Sequence, residues 1–555
     1  MRKPLGRLKN LTPALRCGMK RSALFVLFGA CAFAASATTY EVGPGKPLAT
    51  PGAVPWESLL PGDTVLIYWR AAAYQDKWVI CRQGTAAQPI TVRGVVGPAG
   101  ELPVIDGNGA TTRTALNYWN ENRGVIKIGG ANIPADTTPQ HIRIENLDIR
   151  SARPPYTFTS ATGAAGSYVN GAAAIYVEKC EDLLVRNCTL HDCGNGFFVS
   201  SNDVLASRGI TVERSYIYGN GNTGSGFEHN SYTEAAGMVF QFNRFGPLRS
   251  GAPGTNLKDR SAGLVVRGNW IEGGNRELDL VDAEDSVLLR NDPAYRETFV
   301  YGNVIIEPAG DGNSQLVHYG GDSGTTANYR KGTLYFFHNT IVTKRTDRTT
   351  LFRLSTNDET CDFRNNIAYA TAGGLAFVDA TGTLHLTHNW MKAGARDSFS
   401  FVLGTIDNDG TTIIGTAPGF VDEAGADYRL AGGSACVNAG AALPAAVTAA
   451  NAPTTQYVKH QASEPRPVVG VADVGAFELP PPAVQSLTRD ATGAAITFTS
   501  VAGAQYRVEF RDDLTGGIWL TLQSGIAGTG NVVTIVDSAG AGIPRRFYRV
   551  VLPLP

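Results

Sequence analysis

A short pattern of apolar and polar positions recurs between about residues 140 and 391. Each copy has a run in which apolar and polar residues alternate, then an asparagine or a substitute for it, then another apolar residue. Alternation with a period of two predicts short strands, and repetition at intervals of 24 to 41 residues without a helical pattern predicts a solenoid of stacked coils. The nine copies are IRIENLDI (142–149), LLVRNCTL (183–190), ITVERSYI (210–217), MVFQFNRF (238–245), LVVRGNWI (264–271), TFVYGNVI (298–305), LYFFHNTI (334–341), CDFRNNIA (361–368) and LHLTHNWM (384–391).

The marker residue of each copy is predicted to turn inward at a corner of the coil. There its side chain would bond to the backbone of neighbouring coils, which accounts for its recurrence without any catalytic chemistry. The markers are Asn146, Asn187, Ser215, Asn243, Asn269, Asn303, Asn339, Asn365 and Asn389.

A different pattern begins after Pro480–Pro482, which form a stiff break. Five short alternating runs follow at intervals of about ten residues, which predicts a small β-sandwich. This unit could be an accessory or export-related module, or a passive stabilising cap. The prediction is an all-β chain with a signal peptide (1–37), a parallel β-helix solenoid (38–478, with 38–110 as N-terminal coils and cap), a Pro-rich linker (479–484) and a small C-terminal β-sandwich (485–555).

The first 37 residues hold seven basic residues and no acidic one, an apolar run from Ala23 to Phe33, and the A-x-A sequence Ala35-Ser36-Ala37. These features predict a secretory signal peptide, and hence a secreted, periplasmic or cell-surface protein of a bacterium. The run is shorter than the roughly 20 residues of a membrane span, so none is expected. The whole chain has 48 basic and 49 acidic side chains, so the mature chain is acidic. We therefore expect no nucleic-acid partner, and we expect a monomer.

Six cysteines remain after the predicted cleavage. An oxidising compartment permits disulfides, and we expect one within the local trio Cys180, Cys188 and Cys193, with its pairing left open. No C-x-x-C motif occurs, so a zinc site is not expected.

Candidate chemistry falls at similar offsets from the markers in successive coils. Stacked strands lie about 4.8 Å apart, so residues at equal offsets become neighbours on one face. Alternation turns Lys258 outward beside the inward Leu257, and it turns Asp279 outward between Leu278 and Leu280. One outward patch is therefore predicted to combine groups that shift one another's pKa, as functional sites require. Its segments are Glu228–Tyr232, Leu257–Arg260, Asp282–Asp285 and His318–Tyr319.

Over residues 40–478 the repeat resembles right-handed parallel β-helix proteins, among them pectate-lyase-like and chondroitinase-B-like polysaccharide lyases. Lys258 matches the lysine base of the latter, and Arg267-Gly268-Asn269 matches their Arg-Gly-Asn repeat. The chain departs from that family at Val281, where the family has an arginine, and it lacks the acidic pair that binds calcium before the lysine. No matched motif therefore supports calcium, and the cofactor stays unknown. The pairing of His229-Asn230-Ser231-Tyr232 with Lys258-Asp259-Arg260-Ser261 also resembles an element of secreted bacterial β-helix proteins.

The resemblance implies β-elimination at a uronate of an acidic polysaccharide, which needs a base, cations and a proton donor. Lys258 would be the base if Arg260 and partial burial lower its pKa from about 10.4. Arg260 and Arg276 would clamp the substrate carboxylate, and His229 or Tyr232 would protonate the leaving group. Further substrate-binding candidates are Asn230, Glu228, His318 and the aromatic residues Tyr118 and Trp119.

Three alternatives stay open. Lys258 could merely form solvated ion pairs with a nearby acid. The chain could be a glycoside hydrolase that uses two carboxyl groups about 5 to 9.5 Å apart, or a non-catalytic glycan binder or adhesin. The candidate hydrolase carboxyl groups, which are also the candidate metal ligands if a metal binds, are Asp279, Asp282, Glu284 and Asp285.

Overall fold

The computed structural model describes residues 37–552 and is built almost entirely of β-strands. Apart from Ala37, the predicted signal peptide lies outside the described residues. Among the described residues the α-helix is Val287–Arg290, and none of the helices is long and apolar enough to cross a membrane. The short 3-10 helices are Pro51–Ala53, Trp56–Ser58, Glu121–Arg123, Pro293–Arg296, Thr326–Asn328, Ala449–Asn451 and Ser538–Gly542.

Three long sheets, here called A, B and C, form the faces of a parallel β-helix, and each coil contributes a strand to them in that order. Sheet A contains Thr39–Val42, Thr64–Tyr68, Ile90–Val95, Gln140–Glu145, Glu181–Arg186, Arg208–Glu213, Ala236–Gln241, Val265–Arg267, Glu297–Tyr301, Thr333–Phe337, Thr360–Arg364, Thr383–Thr387 and Thr405–Asn408. Sheet B contains Val104–Asp106, Asp148–Arg150, Thr189–His191, Tyr216–Tyr218, Arg244–Phe245, Trp270–Glu272, Val304–Glu307, Thr340–Thr343, Ile367–Ala370, Trp390–Lys392 and Ile413–Gly415.

Sheet C lies on the face that carries the candidate chemistry. It is parallel except for one antiparallel hairpin near its start. Its strands are Asp76–Ile80, Ala110–Thr112, Gly124–Ile128, Thr157–Thr159, Ala165–Ser167, Ala173–Val177, Asn195–Val199, Ser231–Thr233, Leu257–Asp259, Leu278–Leu280, Gln315–Tyr319, Arg348–Leu354 and Gly374–Val378.

The core lies between the three sheets because the inward residue of each strand is apolar. On sheet A, for example, Val185, Val212, Phe240 and Val266 stand in register on successive strands and are fully enclosed. Each such side chain is covered by the equivalent residue of the coil before and after it. The prediction of an all-β stacked solenoid is confirmed.

Each coil turns from sheet A to sheet B through a residue with positive φ, followed by a fully buried position. In six coils that buried position is an asparagine whose amide donates to a backbone carbonyl, and in five of these also to the next asparagine. The predicted inward role is wrong for Asn146 and Asn187, which take the positive-φ position (58° and 50°), and Asn365 (57°) faces Ala441 instead. The buried ladder consists of Asn243, Asn269, Asn303, Asn339, Asn366 and Asn389.

Smaller antiparallel units accompany and follow the coils. The C-terminal residues form two three-stranded sheets around a core that includes Phe498, Tyr506 and Val508. The strands of these two sheets are Val484–Asp490, Gly493–Thr499, Val532–Asp537, Leu520–Ala527, Gln505–Arg511 and Phe547–Val551. The remaining two-stranded units pair Asn117–Tyr118 with Ala131–Ile133, Phe420–Asp422 with Asp427–Leu430, and Thr455–Val458 with Ala462–Pro465.

All six cysteines of the described chain are free thiols and buried. The expected disulfide within Cys180, Cys188 and Cys193 is therefore wrong for this structure. Each of the three occupies an enclosed position in the solenoid, where burial raises the pKa of the thiol. They act as small apolar side chains of the core.

Candidate active site on sheet C

The outer face of sheet C carries one side chain from each successive strand in a continuous line, here called the outward column. Lys258 lies beside Asp279, and Asp279 lies beside His318, so strand alternation placed Lys258 and Asp279 correctly. Equal offsets of 15 residues from the markers Ser215, Asn243 and Asn269 would align Lys258 with Asn230 and Glu284. That alignment is wrong, because the neighbours of Lys258 in the sheet are Tyr232 and Asp279. The column runs through Tyr176, Phe198, Tyr232, Lys258, Asp279, His318 and Arg353.

Lys258 is held between two carboxylates. Its Nζ lies 3.0 Å from Asp279 Oδ2 and 2.5 Å from Asp322 Oδ2, and its side chain is 11% exposed. Burial alone would lower the pKa of Lys258, but Asp279 and Asp322 outweigh it and the pKa is raised. This is the opposite of the direction that a resting lysine base requires, so the expected lowering is wrong.

Arg260 forms the second cation of the cluster and is almost fully enclosed. Its Nη2 lies 2.9 Å from Glu284 Oε1 and 3.0 Å from Asp322 Oδ1, and its Nε donates to the Tyr232 hydroxyl at 2.9 Å. Asp322 thus bridges Arg260 and Lys258 with its two oxygens. Burial works to raise the pKa of Asp322, but the two cations prevail and hold it below its ordinary value.

Asp322 was missed by sequence reasoning because it lies in the turn that follows a strand of sheet C. Its backbone N–H donates to Asp282 Oδ1 at 2.9 Å, and the hydroxyl of Ser323 donates to Asp282 Oδ2. Asp282 therefore fixes the turn rather than facing a substrate. An acidic residue in the corresponding turn of neighbouring coils, as in VDAED and GGDSG, is the sequence signal that could have found Asp322.

His318 fixes Asp279 from the side opposite Lys258. Its Nδ1 is 2.8 Å from Asp279 Oδ1, and its Nε2 is 2.9 Å from Ser355 Oγ. These hydrogen bonds and Lys258 hold the pKa of Asp279 far below its usual range, against the effect of burial. Since both ring nitrogens of His318 are engaged, by Asp279 and by Ser355, its role is to position Asp279.

The segment Glu228–Tyr232 approaches the cluster from the preceding coil. His229 Nδ1 accepts a hydrogen bond of 2.9 Å from the Thr255 backbone, so the ring proton is on Nε2. Burial, reinforced by Lys258, lowers the pKa of His229 to about 3, and a neutral imidazole results. The proposed substrate contact of Asn230 is wrong, because Asn230 is fully buried and donates to Gly246 and Asn256. Glu228 is also buried, at 5% exposure.

Glu234 is a second residue that sequence reasoning missed. It follows the strand Ser231–Thr233 and lies beside Arg260 in the register of sheet C. Its Oε1 is enclosed without a hydrogen-bond partner, and the residue is 4% exposed. Burial, with Asp285 as a nearby anion, raises the pKa of Glu234 to about 8, so this carboxyl group is protonated at neutral pH.

The aromatic candidates lie towards the N-terminal end of the column. Trp119 is 37% exposed, and its ring lies 5.3 Å from Nζ of Lys127, which neighbours Tyr176 in the register. Tyr118 is buried beside Thr112 and does not offer a ring face to solvent. Closer to the cluster, Tyr176 and Phe198 stack with ring centroids 5.0 Å apart.

Of the four acids considered as metal ligands, three are engaged separately and Asp285 is exposed. Asp279 contacts Lys258 and His318, Asp282 holds the turn of Asp322, and Glu284 contacts Arg260. Within residues 37–552 no group of three or more His, Cys, Asp or Glu side chains is arranged to hold a metal ion. The residues present therefore do not fit a calcium site.

Comparison with known proteins identifies the fold. A family model described as "Right handed beta helix region" matches residues 137–328. This range includes Lys258, Arg260, Asp279 and Asp322. The resemblance to right-handed parallel β-helix proteins is confirmed. No curated protein sequence matches the chain.

Three solved structures are among those similar to the chain. The lacto-N-biosidase of glycoside hydrolase family 136 from Eubacterium ramulus is 10% identical with a TM-score of 0.36, covering 68% of each chain. The polygalacturonase from Erwinia carotovora ssp. carotovora is 9% identical with a TM-score of 0.39, covering 66% of this chain and 97% of its own. The tailspike depolymerase of the Acinetobacter baumannii bacteriophage Fri1 is 11% identical with a TM-score of 0.29, covering 88% and 79%.

Proposed function

We propose that the chain is a secreted bacterial enzyme that hydrolyses an acidic polysaccharide at the cluster around Lys258 and Arg260. The observation that carries this proposal is that carboxylates of the chain already bind both cations. Asp322 contacts Lys258 and Arg260 together, so the cluster offers carboxyl groups and no unpaired amine. Hydrolysis of a glycosidic bond needs one protonated and one ionised carboxyl group.

Glu234 and Asp322 supply these two states, and Arg260 is close enough to act on both. Environments that drive two carboxyl pKa values apart define an acid and a base. Glu234, with its raised pKa, would donate a proton to the glycosidic oxygen. Asp322, which is ionised and has a side chain 30% exposed, would attack the anomeric carbon or deprotonate the attacking water. The Tyr232 hydroxyl and the Nε2–H of His229 would orient the sugar.

One observation favours a second candidate, the lyase implied by the sequence resemblance. The two oxygens of Asp322 occupy Lys258 and Arg260 in the way that a substrate carboxylate would. A uronate that displaced Asp322 would leave Lys258 with one carboxylate instead of two. Lys258 would then be closer to the neutral form that β-elimination requires.

Secretion, bacterial origin and the monomeric state belong to the proposal and rest on the sequence pattern of residues 1–37 and on composition. N-terminal sequencing of protein recovered from culture medium should begin near Thr38. Size-exclusion chromatography with light scattering should give the mass of one mature chain. Protein that stays inside cells with its leader attached would contradict export.

The test of function is a panel of neutral and uronate-containing polysaccharides incubated with the mature chain. Hydrolysis gives new reducing ends without ultraviolet absorbance, whereas elimination gives unsaturated ends that absorb. We expect the first result, and we expect Glu234→Gln to abolish it. Asp407→Asn, which changes an exposed acid on sheet A, is the matched control. Absence of both products with every polymer would contradict an enzyme and leave a glycan binder.

A further inference from the structure

We infer that Arg276 and Arg353 form an oxyanion-binding subsite for an acidic sugar unit next to the unit that is cleaved. This inference deepens the proposed function, on which it rests. Arg353 follows His318 in the outward column, and Arg276 lies three residues before Asp279. The subsite therefore begins where the central cluster ends.

Neither guanidinium group has a carboxylate that is bound to it alone. Arg276 Nη1 is 3.9 Å from Asp279 Oδ1, but Asp279 is already bound by Lys258 and by His318 at shorter distances. Within residues 37–552 no carboxylate lies within salt-bridge distance of Arg353. This contrasts with the central cluster, where each cation contacts at least two acids.

Arg276 also retains unused hydrogen-bond capacity. Its Nη2 donates to Gln315 Oε1 at 2.9 Å, and Gln315 in turn donates to Asp379 Oδ2 at 3.0 Å. The Nε of Arg276 is enclosed and has no partner, while its side chain is 14% exposed. Burial lowers the pKa of Arg276 although Asp279 works to raise it, and the positive charge of Arg353 adds to the lowering.

Arg276 contacts Gln315 on the strand that carries His318, and Arg353 stands beside His318 on the next strand, so the two guanidinium groups are placed to share an anion. The planar fork of arginine matches a carboxylate or a sulfate with two parallel hydrogen bonds. Neighbouring strands of the sheet lie about 4.8 Å apart. Arg276 precedes the strand next to that of Lys258, and Arg353 lies three strands from Lys258. These separations are on the scale of adjacent sugar units. The ligand class is therefore an oxyanion-bearing sugar, with the charge on a carboxylate or on a sulfate ester.

The experiment is isothermal titration calorimetry with the full mature chain and three probes: an oligogalacturonide, its methyl ester, and a sulfated galactan oligosaccharide. Wild type is compared with Arg353→Gln and Arg276→Gln. Arg348→Gln is the matched control, because Arg348 is an exposed arginine of the same strand that packs on Phe399. We expect Arg353→Gln to weaken binding of an oxyanion probe at least about tenfold, and the methyl ester to be insensitive to it.

The probe that responds identifies the charged group as carboxylate or sulfate. Unchanged binding of both oxyanion probes by Arg353→Gln, or no binding of either to wild type at millimolar concentration, would overturn the subsite. Equal weakening of the methyl ester would overturn it as well. The polysaccharide cleavage assay tests the enzyme separately from the subsite. If a polysaccharide is cleaved but Arg353→Gln binds the oxyanion probes as tightly as wild type, the subsite alone is rejected. If binding depends on Arg353 but no polysaccharide is cleaved, the enzyme alone is rejected.

Discussion

Asp322 Oδ2 lies 2.5 Å from Lys258 Nζ, and this contact joins residues 64 positions apart in the chain. Asp322 is a turn residue with a side chain 30% exposed, and Lys258 is a strand residue with a side chain 11% exposed. The relationship makes Asp322 the most informative residue to change.

Asp322→Asn should lower the rate of polysaccharide hydrolysis by a factor of about 100 or more, because it removes the ionised carboxyl group of the reaction. Steady-state release of reducing ends measures this effect, with Asp407→Asn as the control. A variant that loses hydrolysis but gains ultraviolet-absorbing products from a uronate polymer would instead support the lyase. Retention of most of the hydrolytic rate would remove Asp322 from the mechanism.

The activity should fall as the pH rises through about 8, where Glu234 loses its proton. A matching effect on stability follows, because the pKa is raised from 4.5 to about 8 on folding. Between these two pH values the folded chain binds a proton at Glu234 that the unfolded chain does not bind. The contribution of this proton to the free energy of unfolding is complete below about pH 4.5 and is lost as the pH rises to about 8. Urea unfolding should show Glu234→Gln gaining stability relative to wild type as the pH rises. A difference that does not change with pH would contradict the raised pKa.

His229 should remain neutral throughout the physiological range, because burial lowers its pKa to about 3. Nitrogen chemical shifts of the ring should report a proton on Nε2 and stay constant between about pH 5 and pH 8. His385, which is half exposed, provides the comparison within the same sample. A titration of His229 near pH 6.5 would make it available as a general acid and would contradict its burial.

Asn303→Ala should destabilise the solenoid by about 2 to 4 kcal/mol, because it removes the hydrogen bond to the Val266 carbonyl and the acceptor of the buried Asn269 backbone N–H. Asn187→Gly should change the free energy of unfolding by less than about 1 kcal/mol. Asn187 lies outside the ladder at a positive φ that glycine also adopts. Denaturant unfolding of the two variants measures the contrast, and equal losses would mean that the ladder adds nothing specific.

Reducing agent should leave the melting temperature unchanged, since the cysteines are buried free thiols. Thiol reagents should react with the folded protein only as fast as it opens, because burial raises the pKa of the Cys188 thiol to about 12. Mass spectrometry after alkylation in denaturant counts the thiols. A count of fewer than six thiols in the mature chain would indicate a disulfide.

The sequence predicted the solenoid and the outward direction of Lys258 and Asp279, because both depend on strand alternation alone. It did not predict which residues share a register across coils, since that depends on turn length. Between successive strands of sheet C the turns differ, so Glu284 was placed where Asp279 stands. The choice of Asn365 instead of Asn366 for the ladder has a different cause, because two adjacent asparagines fill the positive-φ position and the buried position of that turn.

Asp322 and Glu234 were missed for a different reason. Both are acidic residues in or next to turns, and nothing within a single coil distinguishes them from solvated ones. For Asp322 the available signal lies between coils, in the acidic residue of the corresponding turn VDAED. Their properties come from burial and from Arg260, which only the packing of three coils brings to them. The expected low pKa of Lys258 failed for the same reason, because Asp322 was not known to be its partner.

The outward column links the length of the protein to the spacing of its contacts. A coil inserted between Tyr176 and Phe198, outside the reacting groups, would separate the aromatic end from the arginine end by one more strand spacing, about 4.8 Å, without disturbing the fold on either side. Duplication or loss of a single repeat could therefore retune the charge pattern that a polymer must present, while the reacting groups around Lys258 stay the same.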